Sequence, residues 1–388
     1  MKKSSMLLLW IGASVSISEI VTGGLLAPLG LVKGAAAVIV GHLIGTLLLA
    51  FGGYVSFSRG QNAMATVTWS MGKGGGAVVA LCNVVQLVGW TIVMIVQAGS
   101  ALTAIVPAFP FKPVALILSV LVVLWALILG SPARRLNDVV VIALSVMCIV
   151  LFVEVFRGAA GDIIGLHSDM SMMLAIELSI AMPVSWLPLI GDYTRGAGSR
   201  TCAATMPFIG YFCGSVLMYL LGLVIAVFSG GDFFAFIASS RFRLPACAVV
   251  ILSTLTTAFL DLYSAAVSSK QIIRTRSPRM PVLVMGVFAA LAAVLFPVER
   301  YGDFLTGFLG VIGMVFVPVY TVLFLDFLMK KPVAQSRFNW RNLGVAAIGM
   351  VGYRFFSMYD ILIPTVMSIL LVSVFYFLLN YKRAEAIK

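Results

Sequence analysis

The most reactive side chains of this sequence are carboxylates and amides stranded among apolar neighbours. Of fourteen Asp and Glu residues, Glu19, Glu154, Glu177 and Asp261 fall inside otherwise hydrophobic stretches. At the centre of a bilayer an ionised carboxylate costs about 2.5–3.5 kcal/mol even on the mild insertion scale, so it must face a cavity, find a partner or take up a proton. At 1.5 Å per helical residue, Glu19 lies about 20 Å from the start of its stretch, and Asp261 lies roughly 14 Å from Lys270. Both are therefore placed at mid-bilayer. Glu154 and Glu177 lie within about two turns of a stretch end, where each is expected to reach headgroup water.

The polar residues around these acids are aligned. In "ILSTLTTAFLDLYSAAVSS", Ser253, Thr256, Thr257, Asp261 and Ser264 recur at three- and four-residue spacing and share one helical face. A lone Thr in a membrane helix usually bonds its own carbonyls. Five polar groups with an acid among them point instead to an ion or substrate surface. In "LCNVVQLVGWTIVMIVQAG", Asn83, Gln86, Trp90 and Gln97 form a second stripe. Tryptophan favours the membrane interface, where Trp10 and Trp69 are expected, but Trp90 is central in its stretch. An aromatic plate flanked by amides suits a flat heteroaromatic ligand, with buried aromatic packing as the alternative. In "ELSIAMPVSWLPLIGDYTRGAG", Pro183 and Pro188 flank Trp186, so the helix should break near 182–188. Irregular backbone at membrane depth persists where it lines a cavity or is buried in protein. The stretch "WIGASVSISEIVTGGLLAPLG" has the same character, with Ser18, Glu19, Gly23, Gly24 and Pro28.

These residues need a membrane scaffold to position them. The chain has 388 residues, 61% hydrophobic and 10% charged, with a mean hydropathy of +1.11. Crossing a hydrocarbon core of about 30 Å takes about 20 apolar residues. Twelve such spans are predicted, at 6–28, 35–57, 76–106, 112–131, 138–156, 173–192, 205–229, 244–267, 281–298, 303–328, 341–354 and 361–381. With a cytoplasmic N-terminus, nineteen of the 26 Lys and Arg fall on cytoplasmic segments, among them Lys2, Lys3, Arg134, Arg135, Lys270, Arg274, Arg276, Lys382 and Lys388. That pattern obeys the positive-inside rule and places both termini in the cytoplasm of an inner-membrane protein. The net charge of +12 is then a topology signal, not a sign of nucleic-acid binding. The basic, apolar start reads as a retained span, for no clear cleavage site follows it.

Several classes of function find no support. An enzyme needs a nucleophile–base or metal constellation, yet the two histidines, His42 and His167, have no acid clustered beside them in the sequence. The five cysteines lack CxxC spacing, so neither a disulfide framework nor a metal site is suggested. A phosphate-binding loop that would couple ATP is missing, and nothing reads as a channel filter. Spans 1 and 6, both interrupted, stand five spans apart. Two five-span repeats of opposite topology, each opening with a broken helix, are a secondary-transporter layout with its site at the repeat interface. The repeats would cover about 6–156 and 173–328 of one transmembrane domain, followed by two further helices at about 341–381.

"WIGASVSISEIVTGGLLAPLG", "QLVGW", "SWLPLIGDYTR" and "LTTAFLDLYSAAVSS" together resemble the nucleobase–cation symporter-1 family, nearest its branch of hydroxymethylpyrimidine transporters associated with thiamin salvage. The resemblance runs over most of the chain. It implies an all-α, leucine-transporter-like 5+5 inverted repeat that acts as a monomer, with no cofactor beyond a coupling ion. It also implies import of a pyrimidine or other nucleobase coupled to Na+, with proton-coupled cytosine or purine uptake as the alternative. Sodium-coupled members hold the ion with two span 1 carbonyls three residues apart, a span 8 carbonyl and two adjacent hydroxyls. Residue by residue these fall on Ala13, Ser16, Ser253, Thr256 and Thr257, an all-oxygen set suited to a hard cation. The substrate face implied is Gln86, Trp90, Trp186 and Asp261; the polar residues Ser18, Glu19 and Asn83 are added from their own placement, and hydrogen-bond chemistry puts Asp261 or Glu19 on a ring amine with Gln86 completing the edge. The sequence departs from the family in the order of Gln86 and Trp90, in a Trp186 one turn late, and in an acid, Asp261, where an amide is usual.

Overall fold

The computed structural model describes residues 2–128, 134–158, 170–229, 233–269, 272–273 and 277–385. His167, Lys270, Arg274, Arg276 and Lys388 lie outside the described residues, as do the side chains of Arg134, Arg135 and Lys382. Within them the chain is helical throughout. A bent pair, α1 (Lys3–Ser14) and α2 (Ile17–Leu25), leads into α3 (Gly30–Arg59), α4 (Ala63–Ile105), α5 (Phe111–Ile128) and α6 (Arg134–Gly158). A second interrupted segment, α7 (Met172–Ser185) and α8 (Ile190–Thr194), is followed by α9 (Arg200–Ser229), the short α10 (Phe233–Ser239) and α11 (Arg243–Ser268). The bundle closes with α12 (Arg279–Val294), α13 (Tyr301–Leu328), α14 (Trp340–Tyr359) and α15 (Pro364–Glu385).

Both expected interruptions are present, for different local reasons. The bend between α1 and α2 is 53°. Val15 and Ser16 are extended there, and the Ser16 hydroxyl caps α2 by accepting from the backbone amide three residues on. The break therefore precedes Gly23, Gly24 and Pro28. Those glycines serve close approach instead: a Cβ on Gly23 would lie 2.2 Å from the Tyr219 carbonyl oxygen, and one on Gly222 would lie 1.8 Å from that of Ile20. Small residues let two membrane helices, here α2 and α9, meet backbone to backbone. Gly222→Ala should accordingly lower the thermal midpoint of the purified protein by several degrees, because the clash is with backbone that has no rotamer to change. Gly24→Ala is the control, since its Cβ would make ordinary contacts at 3.5 and 3.6 Å. Equal midpoints for the two variants would contradict this account.

In the second interruption α7 runs through Pro183 and stops at Ser185, and Trp186 to Leu189 continue as i→i+3 turns. Pro188 lies in this break and denies it a donor. The 43-residue α4 contains one unforeseen kink at Gly72, at φ 79°, which a left-handed conformation makes natural for glycine. The kink separates a lead-in helix from the span expected to begin at 76.

Burial orders the helices. In the apolar window of α4, 72% of residues are buried, against 33% in α5, so α4 is central and α5 peripheral. Ile117, Leu121 and Leu124 on α5 and Val284, Phe288 and Leu291 on α12 are exposed, as lipid-facing residues would be. Glu177, expected to reach headgroup water, is instead buried. Its carboxylate accepts from the hydroxyls of Tyr353 and Thr365 and from the Thr365 amide, which ties α7 to α14 and α15. Glu154 accepts from Ser240 and the Arg241 amide, with the Arg241 guanidinium 3.7 Å away. Trp10, expected at the interface, is fully buried.

Candidate functional site

The two broken segments, α4 and α11 meet in one region. Gln86 on α4 donates through Nε2 to the carbonyl of Ser185, the last residue of α7, at 2.9 Å, and to Asn83 Oδ1 at 3.2 Å. Asn83 Nδ2 donates to Ser268 Oγ on α11 at 3.2 Å. Trp90 lies seven residues beyond Asn83 on α4, and Asp261 lies seven residues before Ser268 on α11. Two acceptors in this layer, Gln86 Oε1 and Asp261 Oδ2, are buried without a hydrogen-bond partner. An unsatisfied buried acceptor costs about 1–3 kcal/mol, so such a pair is a demand for donors.

Aromatic residues line the same layer. Trp90 is nearly buried and meets Phe308 of α13 in a T-shaped contact at 5.2 Å. Trp186, in the α7–α8 break, is only partly buried and makes edge contacts with Trp10, Tyr193 and Tyr211 at 5.8, 6.4 and 6.3 Å.

Other expected site residues are committed to protein partners. Ser18 donates to Gln97 Oε1 at 2.9 Å, and Gln97 Nε2 donates to Tyr301 Oη at 2.6 Å, which joins α2, α4 and α13. Both Glu19 oxygens accept from α9: Oε1 from Tyr211 and Oε2 from Ser215, each at 2.6 Å. His42 has an acid nearby after all, for its Nε2 lies 2.6 Å from that same Ser215 hydroxyl. The sequence hides this because 173 residues separate His42 from Ser215.

The residues assigned to sodium lie on two elements that pack together. Ala13 and Ser16 flank the α1–α2 bend, where Val15 and Ser16 are extended and the Ser16 carbonyl accepts from the Ile20 amide at 3.4 Å. On α11 the hydroxyls of Thr256 and Thr257 donate to the Ser253 carbonyl at 2.8 and 3.0 Å. A hydroxyl that donates keeps its lone pairs free, so the Thr256 and Thr257 hydroxyls retain the acceptor capacity that a hard cation needs.

Comparisons with known proteins bear on this geometry. The sequence profile of a family described as "Permease for cytosine/purines, uracil, thiamine, allantoin" matches residues 2–375. The chain belongs to that permease family. It is a transporter, not an enzyme, and the family is the one its sequence resembles. The curated proteins searched gave no match. Among solved structures, the permease is similar to Mhp1 in its inward-facing conformation, at 15% identity and TM-score 0.80 over 98% of this chain and 91% of that one. It is also similar to Mhp1, a nucleobase-cation-symport-1 family transporter, closed with bromovinylhydantoin bound, at 16% identity and TM-score 0.77 over 97% and 92%. A manganese transporter of Eremococcus coleocola follows at 13% identity and TM-score 0.57 over 97% and 94%. At such identities the likeness is one of fold, the all-helical membrane fold of the leucine-transporter type.

The permease also uses residues that the sequence reading missed. Tyr211, Ser215 and Tyr219 recur every four residues on α9 and form one face toward α2 and α3. That spacing was visible in "TMPFIGYFCGSVLMYLLG". Ser185 enters through its backbone carbonyl, for which a sequence carries no side-chain signal.

Proposed function

We propose that the permease imports a pyrimidine-type substrate, hydroxymethylpyrimidine foremost, across the cytoplasmic membrane by alternating access coupled to Na+, with both termini cytoplasmic. The observation that carries this reading is the pair of buried orphan acceptors, Gln86 Oε1 on α4 and Asp261 Oδ2 on α11, with tryptophans on α4 and at the α7–α8 break beside which Gln86 bonds. An exocyclic amine brings two N–H donors on a flat ring, which answers both acceptors at once. A uracil-like edge, with carbonyls at that place, would face them with more acceptors. Glu19 has both oxygens occupied, so Asp261 is the better partner for the ring amine.

Ala13, Ser16, Ser253, Thr256 and Thr257 would hold the sodium ion. Thr257→Ala should weaken sodium stimulation of substrate binding several-fold while leaving the thermal midpoint unchanged, because Thr257 is only partly buried and its one side-chain bond is local. Unchanged sodium dependence would refute the assignment. The function itself is tested by thermal shift of the purified permease against hydroxymethylpyrimidine, cytosine, uracil and a purine, with and without sodium. Stabilisation by the aminopyrimidine that grows with sodium is expected. Stabilisation by uracil or purine alone would overturn the substrate assignment.

A further inference from the structure

One hydrogen-bond chain in the bundle has a proton count that a neutral imidazole and an ionised carboxylate cannot meet. His42 Nδ1 lies 2.9 Å from the Val38 carbonyl, which can only accept, so Nδ1 carries a proton. Nε2 lies 2.6 Å from Ser215 Oγ, and Ser215 Oγ lies 2.6 Å from Glu19 Oε2. Ser215 has one hydroxyl proton for two neighbours. With the ring neutral and the carboxyl ionised, one of these short contacts would set lone pair against lone pair. One further proton removes the conflict. It sits either on His42 Nε2, with Ser215 donating to Glu19, or on Glu19 Oε2, with Ser215 donating to His42. The two arrangements interconvert when one proton moves from Oε2 to Oγ and another from Oγ to Nε2, so the total is conserved.

The chain reaches the substrate layer. Glu19 Oε1 accepts from Tyr211 at 2.6 Å, and the Tyr211 ring meets Trp186 edge-on at 6.3 Å. We propose that Glu19, Ser215 and His42 form a proton-binding site that holds one exchangeable proton and transmits its occupancy through Tyr211 to Trp186. Loss of that proton breaks one of the two short bonds joining α2, α9 and α3. Protonation therefore favours whichever transport state keeps these helices together, which is the differential interaction a coupling ion needs. The consequence for transport rests on the proposed function; the proton site itself does not.

Few other titratable groups face the chain. From α9, Tyr211 touches the carboxyl and Tyr219 packs edge-on against the imidazole at 4.5 Å. On α7, Glu177 is turned to Tyr353 and Thr365, on α13 Asp326 is held by Ser70, Asn342 and Tyr376, on α11 Asp261 Oδ2 is buried without a hydrogen-bond partner, and α8, packed against α3, carries Asp192 and Tyr193. From α4 the neutral Gln97 is bound to Ser18, the residue before Glu19. The Glu19 backbone amide donates to the Ser16 hydroxyl at 3.3 Å, while the Glu19 carboxyl is bound by Tyr211 and Ser215 and the His42 ring by Ser215 and the Val38 carbonyl.

The test uses purified permease without substrate or sodium, followed by tryptophan fluorescence between about pH 5 and 9, the range a histidine-centred site samples. The wild type should show a single-proton transition spread over about two pH units. Ser215→Ala, His42→Gln and Trp186→Phe should lose it, whereas Ser215→Thr, which restores a hydroxyl, should keep it. A transition that persists in both Ser215→Ala and His42→Gln, or none in the wild type, overturns the proposal. Should those variants fail to fold, Tyr211→Phe decides. It should still take up one proton, read with a pH indicator, but without the fluorescence change; an unchanged fluorescence transition would overturn the proposal. In proteoliposomes, an inward-acid gradient should raise uptake of labelled hydroxymethylpyrimidine by wild type and not by Ser215→Thr's partner variant Ser215→Ala. No uptake under any gradient, with the fluorescence transition intact, would sink the substrate reading and leave the proton site standing.

Discussion

Asp261→Asn should raise the apparent constant for hydroxymethylpyrimidine by about ten- to a hundredfold and leave that for uracil unchanged or improved. The substitution keeps shape and alters one group, replacing a carboxyl group by an amide whose NH2 can only donate. Asp261 Oδ2 is buried without a partner, so in the complex it should accept from the ring amine. A buried polar group left unmet costs about 1–3 kcal/mol, and at 1.4 kcal/mol per decade this is about one to two decades. A carbonyl-edged ring gains a donor from the new amide, which sets the opposite sign. Competition for labelled substrate by the two ring types, measured on the same preparation, gives both values. Equal losses for amine- and carbonyl-bearing rings would move Asp261 from recognition to coupling or structure.

Trp90→Ala and Trp186→Ala should each raise the same constant by about one to two decades, because base–aromatic stacking is worth about 1–3 kcal/mol per base. Trp90 is braced from one side by Phe308, and Trp186 by Trp10, Tyr193 and Tyr211. Such bracing orders a ring before the ligand arrives and so reduces the entropy lost on binding. Trp90→Phe should recover much of the loss since a flat face remains. Normal affinity in Trp90→Ala, or a Phe variant as damaged as Ala, would make Trp90 a packing residue.

Much of this architecture was legible because the bilayer simplifies the code. Long apolar stretches specify helices, and prolines and polar residues inside them are expensive enough to mark a cavity. Hence Pro183 and Pro188 in span 6, and Glu19, Gly23, Gly24 and Pro28 in span 1, pointed to both breaks. The glycines misled, since Gly23 could equally mark an unwound turn or a close helix contact, and only the position of Tyr219 decides. Stripes fixed which residues share a face but not what that face meets. Gln86 and Asp261 keep an open acceptor, while Ser18, Glu19 and Gln97 on similar stripes are saturated by Tyr301, Tyr211 and Ser215. The His42–Ser215–Glu19 contact joins three helices distant in sequence, and no local pattern can announce it.

A neutral pyrimidine gains nothing from the membrane potential, whereas one accompanying cation contributes about 2.3 kcal/mol per 100 mV. At about 150 mV that is roughly 3.5 kcal/mol, or about 300-fold accumulation. The most direct measurement of the central claim is therefore uptake of labelled hydroxymethylpyrimidine into proteoliposomes holding the purified permease, with an imposed inward sodium gradient and an inside-negative potential. The account predicts accumulation well above equilibration, lost on adding a sodium ionophore and blocked by excess unlabelled aminopyrimidine but not by uracil. Uptake that stops at equilibration regardless of the gradient, or that uracil blocks equally, would contradict it.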